Sequence, residues 1–461
     1  MNRHIAVSAI AMIAAAGLGG RAHAAGFALS ENSAIESGEA DAGKAAAADD
    51  LSTITSNPAG MTSFSDFVSS AAAAHFIMPQ GSFTLTGAHT SVGPQPIPES
   101  GGAGPDATAT ATVPSAYLIV APTSDLRLGV GVSVPFGLTT HWNADSAARY
   151  QALESKVQSV DVNPSIAYRL APWLSVGAGI SAQWAKVELG NAIDFGTLVP
   201  LTLERFGLIS PAQAGGLLAA GSGRAVNDGR VDVDGDSWNV GYDFGAIVEP
   251  MPGTRIGASY RSSIDQHITG TATFSVPAQY AAIVAATGQF VNTGASATLA
   301  LPDNFMIGIS QQVGSGLTLN ATYQWTEWSR FKAIAISFAN PLQAPATQAE
   351  TYRDTSFVSV GGSLALSDAL TLRAGAAYDE TPVTDAFRDL RLPDGDRYWV
   401  TVGATYNITR NLAITGSYEH LFFDDAAVNH SDTITPGVVN TVTGTAAISA
   451  DLLGVELSFH I

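Results

Sequence analysis

Through much of the chain apolar and polar residues alternate with a period of two, which puts successive side chains on opposite faces of an extended strand. Across residues 157–170, Val160, Val162, Ile166, Tyr168 and Leu170 fall on one face, and Ser159, Asp161, Asn163, Ser165, Ala167 and Arg169 fall on the other. The same split recurs at 254–261, 370–379 and 397–408, and the C-terminus sets Leu453, Val455, Leu457, Phe459 and Ile461 against Gly454, Glu456, Ser458 and His460. Residues 67–77, 113–121 and 126–136 read as earlier strands.

The connections alternate too. Long ones fall near 79–112, 137–156, 189–231, 275–294, 339–349, 380–396 and 423–445, and turns of a few residues lie between them, at 122–125, 171–172, 249–253, 314–316, 367–368 and 409–411. A soluble sandwich also alternates apolar and polar residues, but nothing in it requires loops to be long on one side and short on the other. Transmembrane barrels show that asymmetry together with aromatic residues at the strand ends, here Tyr168 with Trp173, Trp325 with Trp328, and Tyr398 with Trp399. The expected fold is all-β: a transmembrane antiparallel β-barrel of about fourteen strands over residues 64–461.

Three stretches break the pattern. Residues 25–63 are rich in Gly, Ala and Ser, carry Glu31, Glu36, Glu39, Asp41, Asp49 and Asp50 against the single base Lys44, and cannot build a core alone. They are expected to form an N-terminal hatch that plugs the barrel lumen. Residues 195–220 hold Phe195, Leu198, Leu203 and Phe206, with Ser210-Pro211 as a helix start, and residues 276–291 hold Tyr280 and Ile283. These apolar loop helices either bind a greasy ligand or pack only on each other.

At the start, Arg3 and His4 precede an apolar run over 5–18 and small residues at 22–24, the pattern of a signal peptide at 1–24; the bland alternative is an uncleaved anchor. No later apolar run is long enough for a spanning helix. A formal charge of -19 and a pI near 4.7, with no basic stripe, argue against a nucleic-acid partner. Cysteine is absent, the histidines are scattered without ligand spacing, and no nucleophile elbow, phosphate loop or dinucleotide fingerprint occurs in a fitting context. Neither enzyme chemistry, a metal nor a cofactor is expected.

Ala25-Gly26-Phe27, Ala48-Asp49-Asp50, Asn57-Pro58-Ala59-Gly60-Met61, Pro135-Phe136-Gly137, Thr254-Arg255, residues 325–331 and Pro393-Asp394-Gly395-Asp396-Arg397-Tyr398-Trp399 occur in that order. As an ordered set they resemble the FadL-type long-chain fatty acid transporters of the Gram-negative outer membrane, a family that includes importers of aromatic hydrocarbons. The resemblance implies a monomeric channel among outer-membrane lipids for passive uptake of hydrophobic small molecules, fatty acids first. It implies an external apolar groove (Phe195, Leu198, Leu203, Phe206, Tyr280, Ile283) and a hatch gate (Phe27, Asp49, Asp50, Asn57, Pro58, Ala59). A lateral opening is implied beside a kinked third strand (Gly129, Gly131, Pro135). The family holds the acid head with lumen cations, for which Arg255 and Lys332 are the candidates; Arg169, Arg261, Arg373 and Arg397 are further lumen-facing arginines expected to pair with acids such as Asp49 and Asp50. The competing readings are a channel for aromatic or other neutral hydrocarbons and a general aqueous porin.

Overall fold

The computed structural model describes residues 26–103 and 110–461, so the expected signal segment lies outside the described residues. Alternation drives the chain into fourteen antiparallel staves. They are β1 Val68–Val92, β2 Ala111–Val120, β3 Leu126–Ser133, β4 Glu154–Ala171, β5 Leu174–Asp194, β6 Asp228–Met251 and β7 Thr254–Arg261. β8 Asn304–Val313, β9 Leu317–Thr326, β10 Thr355–Ala365, β11 Leu370–Asp379, β12 Arg397–Asn407, β13 Leu412–Phe423 and β14 Val438–His460 complete them. On the long-loop side β3, β7, β9 and β13 resume after short breaks as Gly137–His141, Ile264–Ser275, Ala333–Phe338 and Ala426–Thr435, while Thr293–Leu301 and Ala346–Ala349 lead into β8 and β10. Pairing of β1 with β14, from Ser69↔His460 to Val92↔Val438, closes the sheet into a barrel.

The two faces separate as their residues demand. In β4, Ser159, Asp161, Asn163 and Ser165 are buried inside, while Ile166, Tyr168 and Leu170 stand exposed outside. The outer band continues around the barrel through Trp238, Val240, Tyr242, Phe305, Ile307, Val400 and Leu457. In water this much apolar surface would drive aggregation, and in a bilayer it is the lipid-facing surface. Trp184 and Trp238 lie opposite each other in register, with Lys186 and Asp236 the next outward pair, so the girdle marks where the apolar band gives way to charge.

Several expected loops are strand instead. β1 runs on to Val92 through the stretch 79–112, because β2 stops pairing at Ile77↔Ala111 while β14 stays bonded to the other edge. Pro79 therefore sits on a one-sided stretch, where a missing N–H is tolerated. Likewise 423–445 is largely the hairpin of Ala426–Thr435 with β14. At about 3.3 Å per residue these strands far outreach a hydrocarbon core of about 30 Å, so their upper halves wall a chamber beyond the membrane.

The third stave is interrupted. β3 pairs with β2 as far as Ala116↔Val132 and with β4 as far as Ser133↔Asp161. After Val134-Pro135-Phe136 the chain resumes as Gly137–His141, which of the staves pairs with β4 alone. Between that piece and Ala111–Ser115 of β2 the ladder is missing, which leaves an opening in the barrel wall.

Candidate transport site

The hatch occupies the lumen from residue 26 to the 3-10 turn Pro58–Ser63. Its helices α1 Ala34–Ser37 and α2 Thr53–Ser56 are one turn each, and it is held by the barrel more than by its own regular structure. Asn57 donates to Ala45 O at 2.7 Å and, more weakly, to Ala246 O and Ala258 O of β6 and β7, while its own Oδ1 accepts from Ala59 N–H. The barrel wall turns glycine where hatch backbone approaches. A Cβ at Gly257 would lie 1.8 Å from Ala45 O, and one at Gly375 2.2 Å from Glu39 O.

Charges set the hatch's azimuth. Arg373 of β11 meets Glu39 at 3.3 Å and Asp49 at 3.8 Å, and Lys44 pairs with Asp41 at 2.9 Å within the hatch. Among the described residues Asp50 pairs with no arginine: it hydrogen-bonds Ser33, which also bonds Glu456 of β14. Burial outweighs the nearby cations, so Glu36 and Glu39 are pushed up to about 7 despite Lys44 and Arg373 respectively.

The first hatch residues fill the gap in β3. Leu29 N–H donates to Pro135 O and Gly137 N–H donates to Phe27 O, both at 2.9 Å, giving a one-residue bridge between Ala28 and Phe136. Phe27 is clamped by Trp328, Phe331 and Phe136, with ring centroids 4.9, 5.5 and 5.8 Å away. Truncating the ring removes the packing that holds this bridge. Phe27→Ala should therefore raise amide exchange at Leu29 and Gly137 by about tenfold or more, with the β1–β14 ladder unchanged; equal protection at both amides would show that the aromatic clamp is not what holds the bridge.

Above Phe27 lies an inner cavity lined by Leu138, Val157, Val187, Leu189, Ile268 and Leu299. Its walls come from a change in the inward-facing files: Ser237 and Gly235 give way to Val233 and Val231 along β6, and Gln183 and Ala185 to Val187 and Leu189 along β5. Beside the hatch the lumen is polar; above it the lumen is apolar. The polar residues in that wall include Arg391 and Glu350. The loop 380–396 folds inward to bring Arg391 there, pinned by Trp142 Nε1 donating to Leu390 O at 3.0 Å and by Arg397 bonding Asp394 at 2.9 Å. Leu189, Val233, Ile334, Ile336 and Arg391 also line an outer vestibule, so the two spaces adjoin.

The groove candidates divide. α3 Phe195–Arg205, α4 Pro211–Gly221 and α5 Ala281–Thr287 are all helical, with a capping box at Ser210 and Gln213. Phe195 is fully buried between α3 and α5, with Leu203, Tyr280 and Ile283 packed against the same cluster. Leu198 lines the vestibule, and Phe206 points outward at 68% exposure. Arg255 donates to Ala47 O at 2.6 Å and lies 3.5 Å from Glu249, at the short-turn end. Lys332 is exposed and lines neither space. Gly129 and Gly131 sit in continuous ladder facing hatch residues Met61 and Thr55, and Pro135 alone of the three lies at the break. Pro58 and Ala59 press on Gly177 of β5. Arg391 was not among the expected cations, because it lies in an irregular loop that alternation cannot orient.

The family model described as outer membrane protein transport protein (OMPP1/FadL/TodX) matches residues 15–460. Outer membrane protein P1 of Haemophilus influenzae is 29% identical over 479 residues, covering 98% of either chain. The long-chain fatty acid transport protein of Escherichia coli O6:H1 is 27% identical over 427 residues, 88% of this chain and 90% of that one. A solved FadL homologue from Pseudomonas aeruginosa shares the fold, with a TM-score of 0.82 at 22% identity over 95% of this chain and 100% of that one. The chain belongs to the OMPP1/FadL/TodX family: it is an outer-membrane transport channel for hydrophobic compounds in a Gram-negative bacterium, and it is not an enzyme.

Proposed function

We propose that the compound carried is a long-chain fatty acid, taken up passively by a monomeric channel. The observation that carries this is Arg391. Its guanidinium is buried in an apolar wall and bonds only neutral groups, Gln348 Oε1 at 2.8 Å, Ser155 Oγ at 2.8 Å, Asn191 Oδ1 at 2.5 Å and Glu154 O at 3.3 Å. Among the described residues no carboxylate lies within 4.0 Å of it. A buried cation with no carboxylate in ion-pair contact favours an anionic ligand, and the shared walls of vestibule and inner cavity accommodate the tail.

The acid enters along the vestibule beside Leu198, seats its head at Arg391 and lays its chain toward Phe27. Displacing Phe27 breaks the Ala28–Phe136 bridge and opens the gap at Pro135, through which the chain leaves sideways into the membrane. Gly129 and Gly131 serve this exit indirectly, by giving the hatch room to seat. The E. coli relative's name, long-chain fatty acid transport protein, points the same way.

Binding to the purified full-length protein tests the assignment. Quenching of tryptophan fluorescence by dibrominated hexadecanoate should be displaced by hexadecanoate far better than by hexadecane. Arg391→Met should weaken the acid by about tenfold to a hundredfold, since a charge-assisted hydrogen bond is lost. Equal displacement by acid and alkane, or an unaltered Arg391→Met, would instead favour the neutral-hydrocarbon reading.

A further inference from the structure

Glu350 follows the external strand Ala346–Ala349, and its N–H donates to Lys332 O at 2.8 Å, which anchors the backbone at the cavity wall. The residue is only 4% exposed. Glu350 lines the inner cavity, and among the described residues its carboxyl has neither a hydrogen-bond partner nor a cation within 4.0 Å. Arg391 lines the same cavity, outside ion-pair distance of Glu350. A buried acid with no hydrogen-bond or ion-pair partner is costly unless something is to be bound there.

The charged and titratable groups around it are Asp389 and Arg391 of the inward loop, Asp432 of Ala426–Thr435, and Tyr352 on its own segment. Burial first, and then Asp389, hold the Glu350 carboxyl well above the usual carboxylate range, against the pull of Arg391. Protonated, as that direction favours, it is a hydrogen-bond donor as well as an acceptor.

We propose that Glu350 is a specificity-determining residue: its carboxyl donates a hydrogen bond to one oxygen of the ligand carboxylate while Arg391 attracts the other, so the cavity selects long-chain mono-carboxylates over alkanes of the same length. This rests on the fatty acid reading above. No bond is made or broken; one proton is shared between two carboxyl groups, and the guanidinium balances the remaining charge. An alkane gains nothing from either group and leaves the Glu350 carboxyl without a partner.

The quenching assay on the full-length protein separates the possibilities, with hexadecanoate and hexadecane as ligands. Glu350→Leu should weaken hexadecanoate about tenfold and leave hexadecane unchanged. Glu350→Gln, which keeps a neutral donor, should retain most of the affinity. Raising the pH should weaken hexadecanoate in the native protein, as Glu350 ionises beside the ligand anion, and less so in Glu350→Gln. An acid affinity in Glu350→Leu equal to or above the native value would overturn the proposal, as would an equal loss for acid and alkane. If Arg391→Met weakens the acid while Glu350→Leu does not, this inference alone fails. If Arg391→Met has no effect, the fatty acid reading fails with it.

Discussion

A chain lacking residues 26–57 is expected to form a barrel that conducts ions steadily across a planar bilayer, where the intact chain stays closed. The barrel should survive because its closure depends on strand ladders, above all the long pairing of β1 with β14, and not on the hatch. The lumen left behind is polar at hatch level, with Asn163, Asp161, Gln183, Glu419 and Glu456 facing inward, so water will fill it. A gentler version uses the close approaches. Gly375→Val places a side chain where Glu39 O now lies, and Gly257→Val does so at Ala45 O. Neither glycine has a positive φ, so both variants should preserve the strand and dislodge the plug. Conductance that remains at the intact level in the deletion would show that the hatch is not the barrier.

The hatch should also hold more tightly at low pH. Ser33 Oγ has one hydrogen but contacts both Asp50 and Glu456, the latter at 2.8 Å, while it accepts from Ile35 N–H at 3.0 Å. One hydroxyl proton cannot serve two carboxylates, so one of the carboxyls carries a proton of its own. Burial pushes Glu31, Glu36 and Glu39 up to about 7 and raises Asp50 further from its ordinary range. The groups facing them are Lys44, Asp41, Asp49, Arg373, Glu419 and Glu456. A carboxyl whose docked pKa lies above its free value takes up a proton on docking. That contribution is complete below the free value of about 4.5 and is lost as the pH rises through about 7. Hatch amides between 33 and 57 should therefore open about tenfold or more often at pH 8 than at pH 5, after correction for intrinsic exchange. Glu456→Gln should flatten part of that dependence, and opening that becomes rarer with rising pH would contradict the account.

The lipid-facing half of the barrel was legible because one face of each strand must be apolar over its whole crossing, and Tyr398, Val400 and Val402 follow that rule. The rule was less useful on the inner face. Val187 and Leu189 point inward on either side of Glu188, apolar residues on what strict alternation makes a polar face, and that short lapse was the available sign of the inner cavity. Strand length follows from pairing instead: Pro79 and the glycines after it look like loop, yet they are strand because β14 holds one edge of β1. The loop helices were visible in composition, yet which apolar side chains face the vestibule follows from how α3 packs on α5. Arg373 was foreseen as a partner for hatch acids, whereas Asp50 turned to Ser33 and Glu456.

Sequence alone determined the barrel, its handling of lipid, the number of its staves and the existence of a plug, because these follow from local periodicity, loop length and a segment too polar and small-chained to fold by itself. The tertiary structure decided where the plug touches and where a ligand can sit. Ala40 and Ala48 adopt positive φ in the hatch, a conformation that alanine does not favour locally. Arg391, Glu350 and Phe27 come together from three segments distant along the chain, and only closure of the sheet gives them a common wall.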